Sequence, residues 1–353
     1  MGKGKIVVAG HICLDITPVF SSDKVQPLSK VLIPGKLVQM KDVNISTGGA
    51  VANTGLALKV LGADVELMGK VGDDEFGRIV LERLGRYGAA EGMILSKDSS
   101  TSYSIVISPP GTDRIFLHNP GANDTFRAED MDFDKISQAD FFHFGYPPIM
   151  RHMYENGGEE LVEIFRRVKE CGLTTSLDMA AVDPDTAAGQ ADWEEILKKV
   201  LPFVDYFVPS VEELCFMADR ARYEKWLERA EGRDVTGVLT VEEDIRPLAE
   251  KILDMGACHL LIKCGTPGMY FTDGQTEIFE RSYKPEQVLS GTGAGDTSIA
   301  AFLKARMDGS SIEESLHLAA ATGASCVEAY DALSGLRSFD ELKKKIGAGW
   351  EKI

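Results

Sequence analysis

Two glycine-rich segments carry the residues best suited to chemistry. The first reads Leu289-Ser-Gly-Thr-Gly-Ala-Gly-Asp-Thr-Ser-Ile-Ala-Ala-Phe-Leu303. Glycines 291, 293 and 295 let backbone N–H groups converge without a Cβ in the way. The run passes directly into small and apolar residues of helical character. The first turn of such a helix offers unpaired N–H groups and the positive end of the macrodipole. A cradle of this kind suits the charge of a transferring phosphoryl group. Asp296 closes the run, where a carboxylate can take the proton of an attacking hydroxyl, a form of help worth roughly 10²–10⁴ in rate. A second reading of Asp296 is a helix N-cap after a flexible loop. The segment is not a GxxxxGK[ST] loop, and Val7-Val8-Ala9-Gly10-His11-Ile12 lacks the spacing of a GxGxxG dinucleotide fingerprint.

The second segment is Ser46-Thr-Gly-Gly-Ala-Val-Ala-Asn-Thr-Gly-Leu-Ala-Leu58. Gly48 and Gly49 permit close approach of backbone and ligand, and Asn53 in the following helix brings both a donor and an acceptor. Sugar hydroxyls need such mixed partners. Asp15, just beyond the first strand, adds an acceptor-only group at a strand's C-terminal end, where α/β sites gather. A Gly-Gly turn for tight packing and a surface-loop Asp are the plainer readings. Asn123, in Pro120-Gly-Ala-Asn-Asp124, either borders a ligand or caps an ordinary turn. Val71-Gly-Asp-Asp-Glu-Phe-Gly77 reads as a turn with acidic helix capping.

The elements that must position these residues alternate between strand and helix. Residues 5–10, 65–70, 141–144, 174–178, 206–208 and 260–263 read as strands. Residues 50–61, 74–87, 158–171, 193–200, 210–220 and 243–255 read as helices. That rhythm predicts an α/β fold with a mostly parallel central sheet flanked by helices. Two stretches break it: residues 16–46, with three prolines, and residues 99–119, which alternate around a Pro/Gly/Asp turn as a hairpin does. Together they predict a small β layer beside the main sheet, or alternatively edge strands extending it. Residues 219–243 are charge-rich and read as a surface insertion. No repeat or linker divides residues 1–353, so a single domain is expected.

Composition narrows the partners. The chain has 353 residues, 44% of them hydrophobic, and a formal net charge of −17. That charge argues against nucleic acid or an anionic membrane surface as partner. The six cysteines show no CxxC spacing and the six histidines no HExxH, which points to reduced thiols in a cytoplasmic protein and to no dedicated zinc site. No apolar run reaches the ~18 residues of a membrane span, and the first residues do not have the pattern of a signal peptide.

With these motifs in place, the chain resembles the ribokinase-like (PfkB-type) carbohydrate kinases over nearly its whole length. The N-terminal signature is similar to Gly48-Gly-Ala-Val-Ala-Asn53 through Gly72-Asp-Asp-Glu-Phe-Gly77, and the C-terminal one to Gly293-Ala-Gly-Asp296. The resemblance implies a ribokinase-like sheet with a β lid over the sugar, ATP and Mg²⁺ as cofactors, and a homodimer through the lid. It implies Asp296 as catalytic base with Gly293, Ala294 and Gly295 as anion hole. Asp15, Gly48, Gly49, Asn53 and Asn123 would hold the acceptor. Lys263, Gly265, Gly268, Thr292, Ala320 and Gly323 would lie along the nucleotide, and Glu213 would organise the metal. Two departures stand out. Ser290 replaces the family's first aspartate before the glycines, so little response to potassium is expected, and Ser210 replaces the asparagine of the N-x-x-E element. The expected activity is ATP-dependent phosphorylation of a sugar hydroxyl. A nucleoside kinase of the same family, or a non-catalytic binding protein on this fold, is the alternative.

Overall fold

The computed structural model describes residues 4–111 and 115–353. In chain order the strands are β1 (Lys5–Gly10), β2 (Cys13–Phe20), β3 (Met40–Gly48), β4 (Asp64–Met68), β5 (Lys70–Gly72), β6 (Ile94–Ser96) and β7 (Tyr103–Ile107), then β8 (Ile115–Asn119), β9 (Phe141–Gly145), β10 (Thr174–Asp178), β11 (Tyr206–Phe207), β12 (His259–Lys263), β13 (Gly268–Thr272) and β14 (Glu277–Arg281). Eight of them form the main sheet, in the order β14-β13-β12-β11-β10-β9-β1-β4. From β4 through β12 every pairing is parallel, and β13 and β14 close that edge antiparallel.

The strand sequences account for the layers. Along β1, Val7 and Ala9 belong to one apolar core while Ile6 and Val8 belong to the other. The same period of two places Phe142 and Phe144 of β9, and Leu260 and Ile262 of β12, on the first face and Leu261 on the second. Strands with both faces covered read as continuous apolar runs, which is why the sequence marks them so clearly. Helices Ala50–Val60, Ala294–Met307 and Ile312–Cys326 cover one face, and Glu159–Glu170, Trp193–Val200 and Arg246–Asp254 the other.

From β1 the chain first lays β4 on one side and later returns to lay β9 on the other, so the strand order reverses at β1. The crevice beyond the carboxyl ends of strands at such a reversal is where open α/β sheets bind ligands. Backbones run close together there. Gly10 has φ 121 and Gly145 is its partner in β9. A side chain at Gly10 would run into the Gly145 backbone, and one at Gly145 into Ala50.

The predicted β layer is a separate sheet, with strand order β3-β2-β7-β8. It does not extend the main sheet. Its β2 starts only two residues after β1 ends, so the second sheet rises directly from the crevice. Part of the turn expected between β7 and β8, residues 112–114, lies outside the described residues. The surface insertion expected at 219–243 is instead anchored. It folds as helix Arg220–Ala230 with Trp226 buried, the indole N–H donating to Asp244 Oδ1 at 2.9 Å and Arg229 pairing with Asp244 at 2.7 Å. The β13–β14 hairpin has no counterpart among the strands read from the sequence.

Candidate active site

Four strand ends and two helix starts meet in the crevice. Helix Ala50–Val60 starts at Gly49, whose φ of 84 and ψ of 163 suit glycine almost alone. Helix Ala294–Met307 starts at Gly293, with φ 76. The two helices pack on each other, and their first turns touch through the residues singled out by sequence. Asn53 Nδ2 donates to Asp296 Oδ2 at 3.0 Å, across 243 positions of chain. Thr54 Oγ1 donates to Asp296 Oδ1 at 3.4 Å.

Tyr146, which follows the last residue of β9, gives the third bond: its hydroxyl donates to Asp296 Oδ1 at 2.7 Å. Its backbone is left-handed, with φ 70, a conformation that costs a non-glycine residue about 1–3 kcal/mol. Burial pushes the Asp296 carboxyl up from its ordinary value, opposed by the Lys263 ammonium and by the bonds from Tyr146 and Asn53. Burial and the neighbouring Asp296 together push the Tyr146 hydroxyl up, so it stays a donor. The carboxylate is thus nearly sealed, only 5% exposed, yet aimed between the two glycine turns.

Beneath the second turn lies an ion pair. Lys263 ends β12 and Asp178 ends β10, and Lys263 Nζ donates to both Asp178 oxygens at 2.7 Å. The Lys263 side chain is 14% exposed and the Asp178 side chain 0%, so Lys263 is not the ordinary surface charge that ends many strands. Burial pushes Asp178 up to about 7 against the pull of Lys263. Burial also disfavours the Lys263 ammonium, but Asp178, Glu213 and Asp296 outweigh it and raise Lys263. A Cβ on Gly295 would lie 3.3 Å from Lys263 Cδ, which puts the lysine stem directly under the expected anion hole.

On the acceptor side, Asp15 sits in β2 opposite Ser46 of β3 and Ser104 of β7. Burial raises its carboxyl, while Cys13 and Ser104 lower it. The Gly48-Gly49 pair makes room for this chain's own groups: a side chain at Gly48 would collide with the Asp15 carboxylate, and one at Gly49 would come within 2.5 Å of His11 Nδ1. His11 is buried with neither ring nitrogen bonded, and burial lowers its pKa well below the usual imidazole range. Its ring lies 6.1 Å from that of Tyr146 and 5.3 Å from that of His118 on β8. Asp15, Asn53 and Thr47 line a cavity of about 790 Å³ together with Leu289, Ser290 and Thr292. One space therefore joins both motifs, within the roughly 300–1,000 Å³ usual for small-molecule pockets.

Other predicted site residues have structural duties. Asn123 is fully buried; its Oδ1 accepts from Ile12 N at 3.2 Å and its Nδ2 donates to Ile12 O at 2.9 Å. Its amide is spent on pinning the chain between β1 and β2, a correction to the expectation that it faces the acceptor. Gly265 (φ 66) and Gly268 (φ 139) form the β12–β13 turn. Ala320 is in the apolar core, and a side chain at Gly323 would meet Ser298 Oγ, so packing alone accounts for both small residues. Glu213 completes a capping box, its Oε2 accepting from Ser210 N at 3.0 Å. Its charge still acts on Tyr146, Asp178, Lys263 and Asp296.

Among the described residues no group of three or more His, Cys, Asp or Glu is arranged to hold a metal ion. Magnesium bound with phosphates takes only one or two carboxylates; Asp178 has both oxygens on Lys263, so Glu213, with one oxygen in the capping box, is the carboxylate that fits that lighter demand. Sequence reasoning missed Tyr146, Asp178 and His11. The only local hints were a Gly145-Tyr-Pro-Pro148 turn and polar residues just at or past strand ends.

This architecture, a mostly parallel sheet with an acid at a glycine-led helix start and a second sheet rising from the crevice, is that of a ribokinase-like fold. Residues 3–338 match the pfkB family of carbohydrate kinases, and the chain belongs to that family. An uncharacterized sugar kinase of Archaeoglobus fulgidus is 28% identical over 291 residues, covering 81% of this chain and 100% of the relative. A 2-dehydro-3-deoxygluconokinase of Bacillus subtilis is 23% identical over 319 residues, covering 89% and 90%. Among solved structures, Arabidopsis thaliana ribokinase complexed with ribose and ATP superposes with a TM-score of 0.74 at 22% identity, covering 97% and 98% of the two chains. Fructokinase from Xylella fastidiosa with bound ATP gives 0.73 at 20% identity, covering 98% and 99%. Among the described residues, no helix is long and apolar enough to cross a membrane.

Proposed function

We propose that this protein transfers the γ-phosphoryl group of ATP to a hydroxyl of a sugar or sugar derivative, with Asp296 as general base. The observation that carries the reading is the buried Asp296 carboxylate at the start of helix Ala294–Met307, bonded to Asn53, which itself lines a cavity shared by both glycine motifs. The printed names of the relatives, a sugar kinase and a 2-dehydro-3-deoxygluconokinase, and the ATP in two structural neighbours support it.

In this reading the acceptor lies against Asp15 and Asn53, and the orphaned His11 nitrogens offer a further partner for a hydroxyl. The reacting hydroxyl gives its proton to Asp296 as its oxygen attacks phosphorus. The amides at 293–296 and the positive helix end meet the charge on the transferring group, with Lys263 below as a fixed cation. Magnesium, when bound with the nucleotide, would neutralise phosphate charge, with Glu213 the carboxylate that would help to hold it. The second sheet excludes water from the reacting atoms.

The test is ATP consumption by the purified protein across a panel of sugars and nucleosides, repeated with Asp296→Asn. The variant should bind ATP and lose roughly 10²–10⁴ of the turnover. Retention of a tenth or more of wild-type turnover removes Asp296 from the role. A nucleoside used in preference to every sugar transfers the reading to the nucleoside kinases. The outer face of the second sheet, where Val43 and Leu117 are half exposed, is where we place a homodimer contact; a monomeric solution mass at working concentration would remove it.

A further inference from the structure

The acceptor cavity contains a cation that the mechanism does not use. Helix Glu75–Gly85 carries arginines 78 and 83, with Arg86 as its C-cap. Arg78 pairs with Glu75 at 2.6 Å and Arg86 with Glu82 at 2.8 Å, the ordinary one-turn pairs of an exposed helix face. Arg83 has no such option, because Ile79 and Val80 occupy the positions one turn back. Among the described residues it makes no hydrogen bond or ion pair, and its Nε is buried with no partner.

Arg83 also lines the cavity that holds Asp15 and Asn53. Leu56, one turn beyond Asn53 on the same helix, lines it as well. The two carboxylates that line it are engaged elsewhere. Asp15 is bonded by Cys13 and Ser104, and Asp331 by Ser334 and the amide of Leu333. A position in the last turn of a helix suits a cation near exposed carbonyls, but that does not satisfy a buried Nε–H. Leaving a donor without a partner costs about 1–3 kcal/mol. A guanidinium is the side chain best matched to two oxygens of one anion.

We propose that Arg83 forms an anion subsite of the acceptor cavity, taking a carboxylate or phosphate carried by the sugar at the end away from the hydroxyl that is phosphorylated. The proposal rests on the reading of this cavity as the acceptor site. It narrows the substrate class from sugars in general to sugar acids or sugar phosphates. The Asp15–Asn53 end selects hydroxyls, and the Arg83 end selects charge.

The experiment is calorimetric titration without ATP, so that binding is read apart from catalysis. The probes are D-gluconate, D-glucose 6-phosphate and D-glucose, with D-ribonate, D-ribose 5-phosphate and D-ribose as the five-carbon set. At least one anion should bind tenfold to a hundredfold more tightly than its neutral parent, the range expected for a hydrogen bond to a charged group. Whether the acid or the phosphate binds identifies the anion. Arg83→Met keeps the apolar stem and should abolish that ratio, while Arg83→Lys should restore part of it. The proposal is overturned if the neutral sugars bind as tightly as the anions, if no anion binds at millimolar concentration, or if the ratio survives in Arg83→Met. Turnover of neutral sugars with no preference for anions would leave the kinase reading standing and remove the subsite. Arg83-dependent anion binding in a protein that consumes no ATP would do the reverse.

Discussion

Two glycine turns lead into helices at this site, and their empty side-chain positions are used in opposite ways. At Gly48-Gly49 the space is filled by the protein: the Asp15 carboxylate and the His11 ring lie where Cβ atoms would go. At the second turn Gly291 has nothing within 4 Å, while Gly293 is crowded by Ala332 and Gly295 more mildly by the Lys263 stem. One turn uses glycine to seat the protein's own side chains, and the other leaves its first glycine open. A glycine motif is therefore not one kind of device, and the residues packed into it tell the two kinds apart.

The sharpest way to break this contrast is to add a methyl group at each turn. Gly49→Ala forces a residue into φ 84 with its Cβ 2.6 Å from the His11 carbonyl oxygen. The backbone conformation alone costs about 1–3 kcal/mol, so thermal unfolding should show a lowered Tm and acceptor binding should be lost with it. Gly291→Ala meets no neighbour, and its unfolding free energy should stay within about 0.5 kcal/mol of wild type while phosphoryl transfer slows. Equal destabilisation by the two variants would show that the turns are equivalent.

A smaller effect is expected at the group seated in the first turn. Asp15→Ala should raise the KM for the acceptor about ten- to a hundredfold, as expected for a ligand hydroxyl deprived of a charged partner, with the KM for ATP near wild type. A loss confined to ATP would mean that the two sides of the cavity have been assigned the wrong way round.

The smallest effect is a shift along the pH axis. Burial raises Asp296, so the acidic limb of kcat/KM should lie above the ordinary carboxylate range. The Tyr146 hydroxyl favours the ionised carboxylate, so Tyr146→Phe should move that limb to higher pH, because the base then loses its charge at a higher pH as the solution is acidified. A limb that stays in place or moves to lower pH would show that the hydroxyl does not tune the base.

What could be read from sequence follows from how far apart the partners lie. The buried strands announce themselves as apolar runs, and each glycine motif is contiguous, so the sheet and the two glycine-led helix starts were legible. The second sheet was visible as alternation and prolines, although its independence from the main sheet was left open. Tyr146 reaches Asp296 across 150 positions and Lys263 reaches Asp178 across 85. Neither pairing leaves a local pattern. Asn123 was misjudged for the same reason: its partner is the backbone of Ile12, 111 positions away, and backbone atoms have no sequence identity to read. The 219–243 segment looked like solvated surface because its composition is charged, yet Trp226 and Asp244 hold it to the core.

The left-handed backbone of Tyr146 has a consequence for anyone altering this protein. Gly or Asn at position 146 would accept φ 70 at lower backbone cost, but either would give up the packing of the tyrosine ring. Such a change would also delete the hydroxyl that reaches Asp296 Oδ1. The strained backbone at position 146 is therefore held by what its side chain touches, and relieving the strain would release the bond to Asp296 with it.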